Sequence, residues 1–157
     1  MVALKSYLTD NFGKINYTLS ETQLQFTASP EAALAKIKER NDGLKNPICI
    51  YEDEEIAGFF VLDTSDDKKE LTENSQAILL RSLSLNPAFQ GKGIAKEAML
   101  LVPEFVKMNF PTCNEIVLAV NFENPIAYQL YVKTNFVDEG KTMNGRSGLQ
   151  RILSLKV

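Results

Sequence analysis

Histidine is absent from the 157-residue chain, and cysteine occurs only twice, at Cys49 and Cys113. Without histidine the chain has no Ser–His or Cys–His nucleophile pair and no histidine-ligated metal site. Both cysteines lie in apolar, strand-like surroundings, so we expect small buried residues in a reducing compartment rather than a disulfide or a zinc site. Any chemistry must therefore use tyrosine, carboxylates, lysine, serine, backbone groups, water or a cofactor, and we predict no metal.

Long apolar runs and clusters of positive charge are also missing. No apolar stretch approaches the roughly 18 residues that span a bilayer. No basic segment precedes a long apolar one near the N-terminus, so we expect neither a signal peptide nor a membrane partner. The net charge of −3 argues against nucleic-acid binding, which needs a basic face. With 45% apolar residues, the chain is expected to form one cytoplasmic domain over residues 1–157.

The spacing of apolar residues predicts helices and strands in mixed order. Alternation across residues 15–28 predicts a strand or hairpin, and Ser29-Pro30-Glu31 is a typical helix start, with Asn41-Asp42-Gly43 at the helix end. Beyond these, the pattern predicts strands at 47–53, 55–63, 77–86, 115–121, 136–143 and 149–157, helices at 93–109 and 124–135, and an exposed polar loop at 64–75. This order is typical of an α/β or α+β fold, with a sheet of mixed direction and helices on its faces.

The segment from Leu83 to Ala95 is a strand, a glycine-rich turn and the start of a helix. Such a turn presents backbone N–H groups to an anion at the positive end of a helix dipole. Gly91-Lys92-Gly93 does not have the spacing of a Walker P-loop. Lys96 stands where the dinucleotide-binding fingerprint requires its third glycine. A tight turn that binds no ligand is the remaining alternative.

A second informative segment runs from Asn124 to Phe136. Asn124 is a good N-cap, and the proline that follows it is a good first helical residue. Asn124, Ala127 and Tyr131 are three and four residues apart and so lie along one helix face. An ordinary amphipathic helix, with Tyr131 as a core aromatic, is the alternative interpretation.

Together the two segments resemble a known family. Gln90-x-x-Gly93-x-Ala95 after a Leu-x-Leu-x-Pro strand resembles the acyl-CoA-binding signature of the GCN5-related N-acetyltransferase (GNAT) superfamily. Asn-x-x-Ala-x-x-Leu-Tyr-x-Lys-x-x-Phe resembles the second signature, with Asn135 where glycine is usual. The resemblance covers residues 47–143 well and the first 45 only in outline. It implies a GNAT-like mixed, mostly antiparallel central sheet of six to seven strands, flanked by about four helices.

The resemblance also implies a function and a site. The chain would be an N-acetyltransferase that passes an acetyl group from acetyl-CoA directly to a primary amine of a small molecule or peptide, with no covalent acyl-enzyme. Tyr131 would be the general acid that protonates the departing thiolate. N–H groups of residues 90–95 would bind the CoA pyrophosphate, and the strand around Leu83 to Leu85 would pair with the pantetheine arm. The expected cofactor-binding residues are Leu83, Ser84, Leu85, Gln90, Gly91, Lys92, Gly93, Ile94, Ala95, Asn124 and Tyr131.

The general base is missing from its usual place in this family. Many members have a glutamate on the strand before the glycine loop, near the position of Arg81, and this strand has no carboxylate. A water chain, Glu73 or Glu123 could substitute. Arg81 is expected either to bind a carboxylate of the acceptor or to pair with a structural carboxylate. A non-catalytic acyl-CoA-binding or regulatory domain is the alternative function, and the resemblance leaves a homodimer possible.

Overall fold

The computed structural model describes residues 1–157, and its centre is one seven-stranded sheet. The strand order is β1-β2-β3-β4-β5-β7-β6, and every neighbouring pair is antiparallel except β4 and β5. The mixed, mostly antiparallel sheet expected from the sequence is therefore confirmed. The strands are β1 (Val2–Ser6), β2 (Lys45–Glu52), β3 (Glu55–Asp63), β4 (Ala77–Leu85), β5 (Glu115–Asn121), β6 (Val137–Gly145) and β7 (Gly148–Lys156).

Helices cover both faces of this sheet. They are α1 (Phe12–Ile15), α2 (Glu21–Phe26), α3 (Pro30–Arg40), α4 (Ile94–Asn109) and α5 (Pro125–Lys133). The larger core lies under α4 and α5, where Met99 and Tyr131 pack with Phe60 of the sheet. A smaller core lies under α1 and α3, where Ile15 and Ala33 pack with Phe59. None of the helices has the length and apolar character needed to cross a membrane.

The predicted helix starts are formed by side-chain caps. Ser29 Oγ accepts a hydrogen bond from Ala32 N at 3.1 Å, and Pro30 is the first residue of α3. Asn124 Oδ1 accepts from Ala127 N at 3.3 Å at the start of α5. These caps satisfy N–H groups that have no partner inside a helix. The strands predicted at 55–63 and 115–121 have the predicted bounds, and the other predicted strands from residue 47 onward shift by one or two residues.

The strand or hairpin predicted over residues 15–28 is wrong. Ile15 ends α1, and α2 occupies Glu21–Phe26. Ser20 Oγ accepts from Gln23 N at 3.2 Å while Gln23 Oε1 accepts from Ser20 N at 2.9 Å. This reciprocal capping box starts a helix, and the local signal outweighs the alternating pattern. The first strand, β1, was not among the predicted elements; it pairs antiparallel with β2.

Candidate active site

The parallel strands β4 and β5 separate partway along their length. They pair only from Ala77↔Glu115 to Leu79↔Val117. At Ser82 the backbone adopts φ 60°, a left-handed conformation, and the register of β4 against β3 shifts between Phe59 and Val61. A bulge of this kind bends the strand that carries it. The result is an opening, here called the β4–β5 gap, between residues 80–85 of β4 and residues 118–121 of β5.

Backbone groups of β4 point into the β4–β5 gap. Asn86 N donates to Ala57 O at 2.8 Å, which marks these two opposed residues as a hydrogen-bonded pair. Antiparallel strands alternate such pairs, so Ser84 also directs its backbone groups to β3. Leu83 and Leu85 then direct theirs to the other side, where β5 does not pair with them. An extended ligand can therefore add to this edge as a strand would.

The glycine loop lies between β4 and α4. Asn86 Oδ1 accepts from Ala88 N at 3.0 Å and starts a 3-10 turn, after which Gly91 and Gly93 have φ of 78° and 77°. Glycine tolerates this conformation at no steric cost. A Cβ added at either glycine would meet no protein atom within 4 Å, so the loop backbone faces open space. The loop also begins the 16-residue helix α4, whose dipole favours an anion there.

The cofactor-binding residues predicted around this loop differ in exposure. Residues 90–93 are exposed, Ile94, the first residue of α4, is buried, and Ala95 is half-buried. Lys92 Nζ lies 5.5 Å from the centre of the Phe89 ring, so its charge is held beside the loop. Loop N–H groups, a helix terminus and a lysine together fit a phosphate-bearing group.

Tyr131 lies on α5, which packs against α4 and β5. Its ring packs edge-to-face on Phe136, with ring centres 5.6 Å apart, and only 7% of the residue is exposed. No protein group hydrogen-bonds its hydroxyl, although that oxygen is not sealed from solvent. Burial raises the pKa of the Tyr131 phenol, so the group is neutral and able to donate a proton at physiological pH.

The end of α5 shows why Asn135 can replace the usual glycine. Asn135 adopts φ 78°, in the left-handed region that asparagine tolerates better than most residues. Phe136 N donates to Tyr131 O at 3.0 Å and Asn135 N to Val132 O at 3.2 Å, which is the Schellman pattern. The helix end expected from the sequence is thus formed with asparagine.

The chain from Tyr17 to Gln25 crosses the open end of the β4–β5 gap, on the sheet face that carries α1 and α3. At one end, the Tyr17 hydroxyl lies 2.8 Å from Ser84 Oγ on β4. At the other end, Gln25 O accepts from Ser147 Oγ at 2.8 Å in the β6–β7 turn beyond β5. The sequence did not identify Tyr17 or Ser147, because both contacts join residues far apart in the chain and the first segment was predicted as a strand.

Arg81 is paired with carboxylates of its own chain. Its Nη1 lies 3.2 Å from Asp63 Oδ2 and 3.0 Å from Asp67 Oδ2, and Lys45 Nζ contacts the same two oxygens at 2.7 and 2.9 Å. This is the structural pairing that the sequence left open. The Arg81 side chain is still 44% exposed, and the hydrogen bonds use only Nη1 of its guanidinium.

The segment 64–75 supports this network and is not the fully exposed loop that was expected. It contains a 3-10 turn, Asp66–Glu70, and buries Ser65 and Lys68. Ser65 Oγ caps the turn by accepting from Asp67 N at 3.3 Å, which directs Asp67 toward Lys45 and Arg81. The charge on Arg81 therefore gives this polar segment a partner on the sheet.

The two carboxylates considered as bases lie at opposite ends of β4. Glu73 precedes β4, at the end where β4 and β5 still pair. Glu123 follows β5, between Asn121 and Asn124, at the open end of the β4–β5 gap. Both side chains are exposed. Of the two carboxylates considered as the general base, position therefore favours Glu123.

Both cysteines are free thiols; Cys49 is buried, as expected, whereas Cys113 is only half-buried. Burial raises the pKa of the Cys49 thiol to about 11 and also raises that of Cys113. A thiol is nucleophilic as its thiolate, so both groups are unreactive near neutral pH. No group of three or more Cys, Asp or Glu side chains is arranged to hold a metal ion.

Known proteins are similar to this chain in sequence and in fold. Residues 14–136 match the model of the acetyltransferase (GNAT) family. The uncharacterized N-acetyltransferase YbbJ of Bacillus subtilis (strain 168) is 38% identical over 154 residues, which are 97% of this chain and 95% of that protein.

Two solved structures show the same fold at low sequence identity. The spermidine N-acetyltransferase of Vibrio cholerae in complex with CoA and spermine has a TM-score of 0.73 at 18% identity, covering 99% of this chain and 95% of that one. Aminoglycoside acetyltransferase AAC(6')-Ib in complex with coenzyme A has a TM-score of 0.78 at 15% identity, with the same coverage. Fold, family model and relative agree: the chain belongs to the acetyltransferase (GNAT) family.

Proposed function

We propose that the protein transfers an acetyl group from acetyl-CoA to a primary amine by direct attack, without a covalent enzyme intermediate. The observation that carries this proposal is the β4–β5 gap. Unpaired backbone groups of β4 border it on one side, and the hydroxyl of Tyr131 on α5, which has no hydrogen-bond partner in the protein, lies nearby. The family membership supplies the reaction class. The open edge of β4 and the neutral phenol of Tyr131 support a thioester site between them.

The residues around the gap fit CoA. N–H groups of Gln90, Gly91, Lys92, Gly93, Ile94 and Ala95 would bind the pyrophosphate, because the loop backbone is open and lies at a helix N-terminus. The β4 edge from Leu83 through Ser84 to Leu85 would hold the pantetheine arm. Asn124 and Tyr131 would contact the cosubstrate from α5. The structural neighbours with bound CoA support this assignment.

The proposed chemistry follows from these positions. The neutral amine attacks the thioester carbonyl, the new C–N bond forms, and the C–S bond breaks. A backbone N–H near Leu83 stabilises the negative charge that develops on the carbonyl oxygen. Tyr131 gives its proton to the departing thiolate, and the proton lost by the amine passes through water to Glu123. The high pKa of Tyr131 ensures that the acid form is present before transfer.

The acceptor would approach from the face that carries α1 and α3, here called the acceptor side, since α4 and α5 cover the opposite face. Spermine and kanamycin, which are bound in neighbouring structures, carry amines, in keeping with an amine acceptor. Arg81 is opposite Val61, which packs in the core under α1 and α3, so Arg81 lies on the acceptor side. Its guanidinium has unused N–H groups, and we assign it to a carboxylate of the acceptor.

Release of CoA thiol tests the proposal. The protein is incubated with acetyl-CoA and, separately, with polyamines, aminoglycosides, amino acids and peptides, and free thiol is measured. We expect thiol release with at least one acceptor. Mass spectrometry of that acceptor should show that one of its amines has gained an acetyl group. Tight CoA binding without thiol release in the presence of any acceptor would overturn the proposal in favour of a non-catalytic acyl-CoA-binding domain.

A further inference from the structure

Hydrogen bonds connect the end of β5 to α2 through the turn between β6 and β7. Asn121 Nδ2 donates to Ser147 O at 3.0 Å. Ser147 Oγ donates to Gln25 O at 2.8 Å, and Arg146 Nη2 donates to Leu24 O at 3.4 Å. We propose that Asn121 and Ser147 are positioning residues that hold α2 across the β4–β5 gap and so form the acceptor pocket.

Asn121 uses both ends of its amide. It is 5% exposed, its Oδ1 accepts from Glu123 N at 2.8 Å, and its Nδ2 makes the bond to Ser147. Its backbone oxygen also accepts from Asn124 N at 3.0 Å. One buried residue therefore fixes two things: the turn that leads into α5 and the turn that contacts α2. Only a group with one donor and one acceptor end can make both side-chain bonds.

The turn is built to direct Ser147 toward α2. Gly145 and Gly148 are paired at the end of the hairpin, which leaves Arg146 and Ser147 at its tip. Gly148 has φ 115°, a conformation that L side chains rarely adopt, so the tight turn depends on this glycine. The tip of the hairpin thus places the hydroxyl of Ser147 and the guanidinium of Arg146 against consecutive carbonyls of α2.

The position of α2 depends on contacts of this kind. It has six residues, and none of them is fully buried. A helix this short is not stable alone in water, because its few hydrogen bonds do not offset the cost of starting it. Tyr17 fixes the chain before α2 to β4, and Ser147 fixes the end of α2 beyond β5. Without the Ser147 contact, only the longer bond from Arg146 holds α2 on the β5 side.

The inference rests on the proposed function for its kinetic test. Ser147→Ala removes the shorter of the two bonds from the turn to α2, leaves the 3.4 Å bond from Arg146, and keeps the bond that Asn121 makes to the Ser147 backbone oxygen. We expect the KM for the amine to rise about three- to tenfold, the loss typical of one hydrogen bond, with kcat and the KM for acetyl-CoA unchanged. Asn121→Asp keeps an acceptor for Glu123 N but sets a carboxylate against Ser147 O. It should therefore also raise the KM for the amine without changing kcat or the KM for acetyl-CoA. Ser154→Ala, further along β7, is the matched control and should change nothing.

Hydrogen exchange tests the same link without any activity. The amides of Leu24 and Thr27 donate within α2 at 3.0 and 2.9 Å and report its opening. We expect about three- to tenfold faster exchange of both amides in Ser147→Ala and Asn121→Asp, and no change in Ser154→Ala. Unchanged exchange in α2 would overturn the inference, as would an equal rise in the KM for both substrates. If the protein releases no thiol, the proposed function fails, and exchange alone decides whether the link holds α2.

Discussion

The hydroxyl of Tyr17 lies 2.8 Å from the hydroxyl of Ser84 and also donates to the Ser84 carbonyl at 3.3 Å. Ser84 is 5% exposed and lies on β4 just after the bulge at Ser82. A tyrosine from the chain between α1 and α2 therefore covers the strand that borders the β4–β5 gap. Burial raises the pKa of the Tyr17 phenol, so it remains a neutral donor in this contact.

Removing this hydroxyl should destabilise the protein. Tyr17→Phe leaves the Ser84 hydroxyl without its hydrogen-bond partner in a nearly closed site. We expect a loss of about 1–2 kcal/mol in the free energy of unfolding, measured by urea titration. Tyr7→Phe is the control, because Tyr7 packs in the same apolar cluster and its hydroxyl makes no hydrogen bond. Equal losses in the two variants would show that the contact with Ser84 contributes nothing specific.

Tyr131 is expected to act in the chemical step. Tyr131→Phe keeps the edge-to-face contact with Phe136 and removes the proton donor. We expect kcat to fall about 10²-fold with little change in the KM for acetyl-CoA. Tyr128→Phe is the matched control on the same helix, since the Tyr128 hydroxyl already donates to Asp138 Oδ2 at 2.9 Å, and its kcat should stay at the wild-type value. A wild-type kcat in Tyr131→Phe would remove Tyr131 from the mechanism.

The raised pKa of Tyr131 also has a consequence for the pH profile. An ordinary tyrosine loses its proton near pH 10, and burial moves the pKa of this phenol higher. The acid form of Tyr131 therefore persists well above neutral pH. We expect kcat to show no alkaline decline due to this residue up to about pH 9.5. A decline below about pH 9.5 that disappears in Tyr131→Phe would show that the pKa of Tyr131 is not raised.

A side chain at Gly93 should block the cofactor more than it harms the fold. Gly93 and Gly43 have φ of 77° and 70°, and a Cβ at either would meet no protein atom within 4 Å. Both alanine variants should lose a similar stability, about 1–2 kcal/mol, because the left-handed strain is the same. Only Gly93→Ala should weaken CoA binding, by at least about tenfold in calorimetric titration, since only there would the methyl group project toward a phosphate. Equal affinities in the two variants would place the pyrophosphate elsewhere.

Local signals in the sequence predict the elements from residue 29 to the end of the chain. Helices α3 and α5 begin at side-chain caps followed by proline, and β5 is a short apolar run buried between helices and neighbouring strands. The two signatures also identify the loop and the helix that border the β4–β5 gap. Each of these features depends on residues close together in the chain, which is why they are visible without a structure.

The acceptor side could not be predicted in the same way. The alternating residues around Tyr17 favour a strand, but the capping box at Ser20 and Gln23 forms α2 instead. The contact between Gln25 and Ser147 joins residues 122 positions apart, and no local pattern announces it. The bulge at Ser82 is likewise set by the pairing of β4 with β3. Tertiary contacts therefore determine the side of the β4–β5 gap that we propose for the acceptor.

Arg81 should distinguish acceptors that carry a carboxylate. Arg81→Ala removes the half-exposed guanidinium, and we expect the KM of amino acid or peptide acceptors to rise about tenfold, the effect of losing one charge-assisted contact. Polyamine acceptors have no carboxylate and should be unaffected. An equal change in the KM of all acceptors, or no change in any, would show that Arg81 serves only the structural pairing with Asp63 and Asp67.

The ion pair between Lys45 and Asp63 should govern acid stability. Burial alone would raise the pKa of Asp63, but hydrogen bonds from Lys45 and Ser65 outweigh it and hold the pKa below its usual value. A depressed pKa means that the carboxylate contributes its full stability above about pH 4, where unfolded aspartate titrates, and loses it as the pH falls through the folded-state pKa. Asp63→Asn leaves the 9%-exposed Lys45 side chain without its nearest carboxylate. We expect a loss of about 3 kcal/mol at pH 7 and a flatter decline of stability below about pH 4, both measured by urea unfolding. Asp66→Asn, at an 82%-exposed side chain, is the control and should change neither. An equally steep acid decline in Asp63→Asn would place the responsible carboxylate elsewhere.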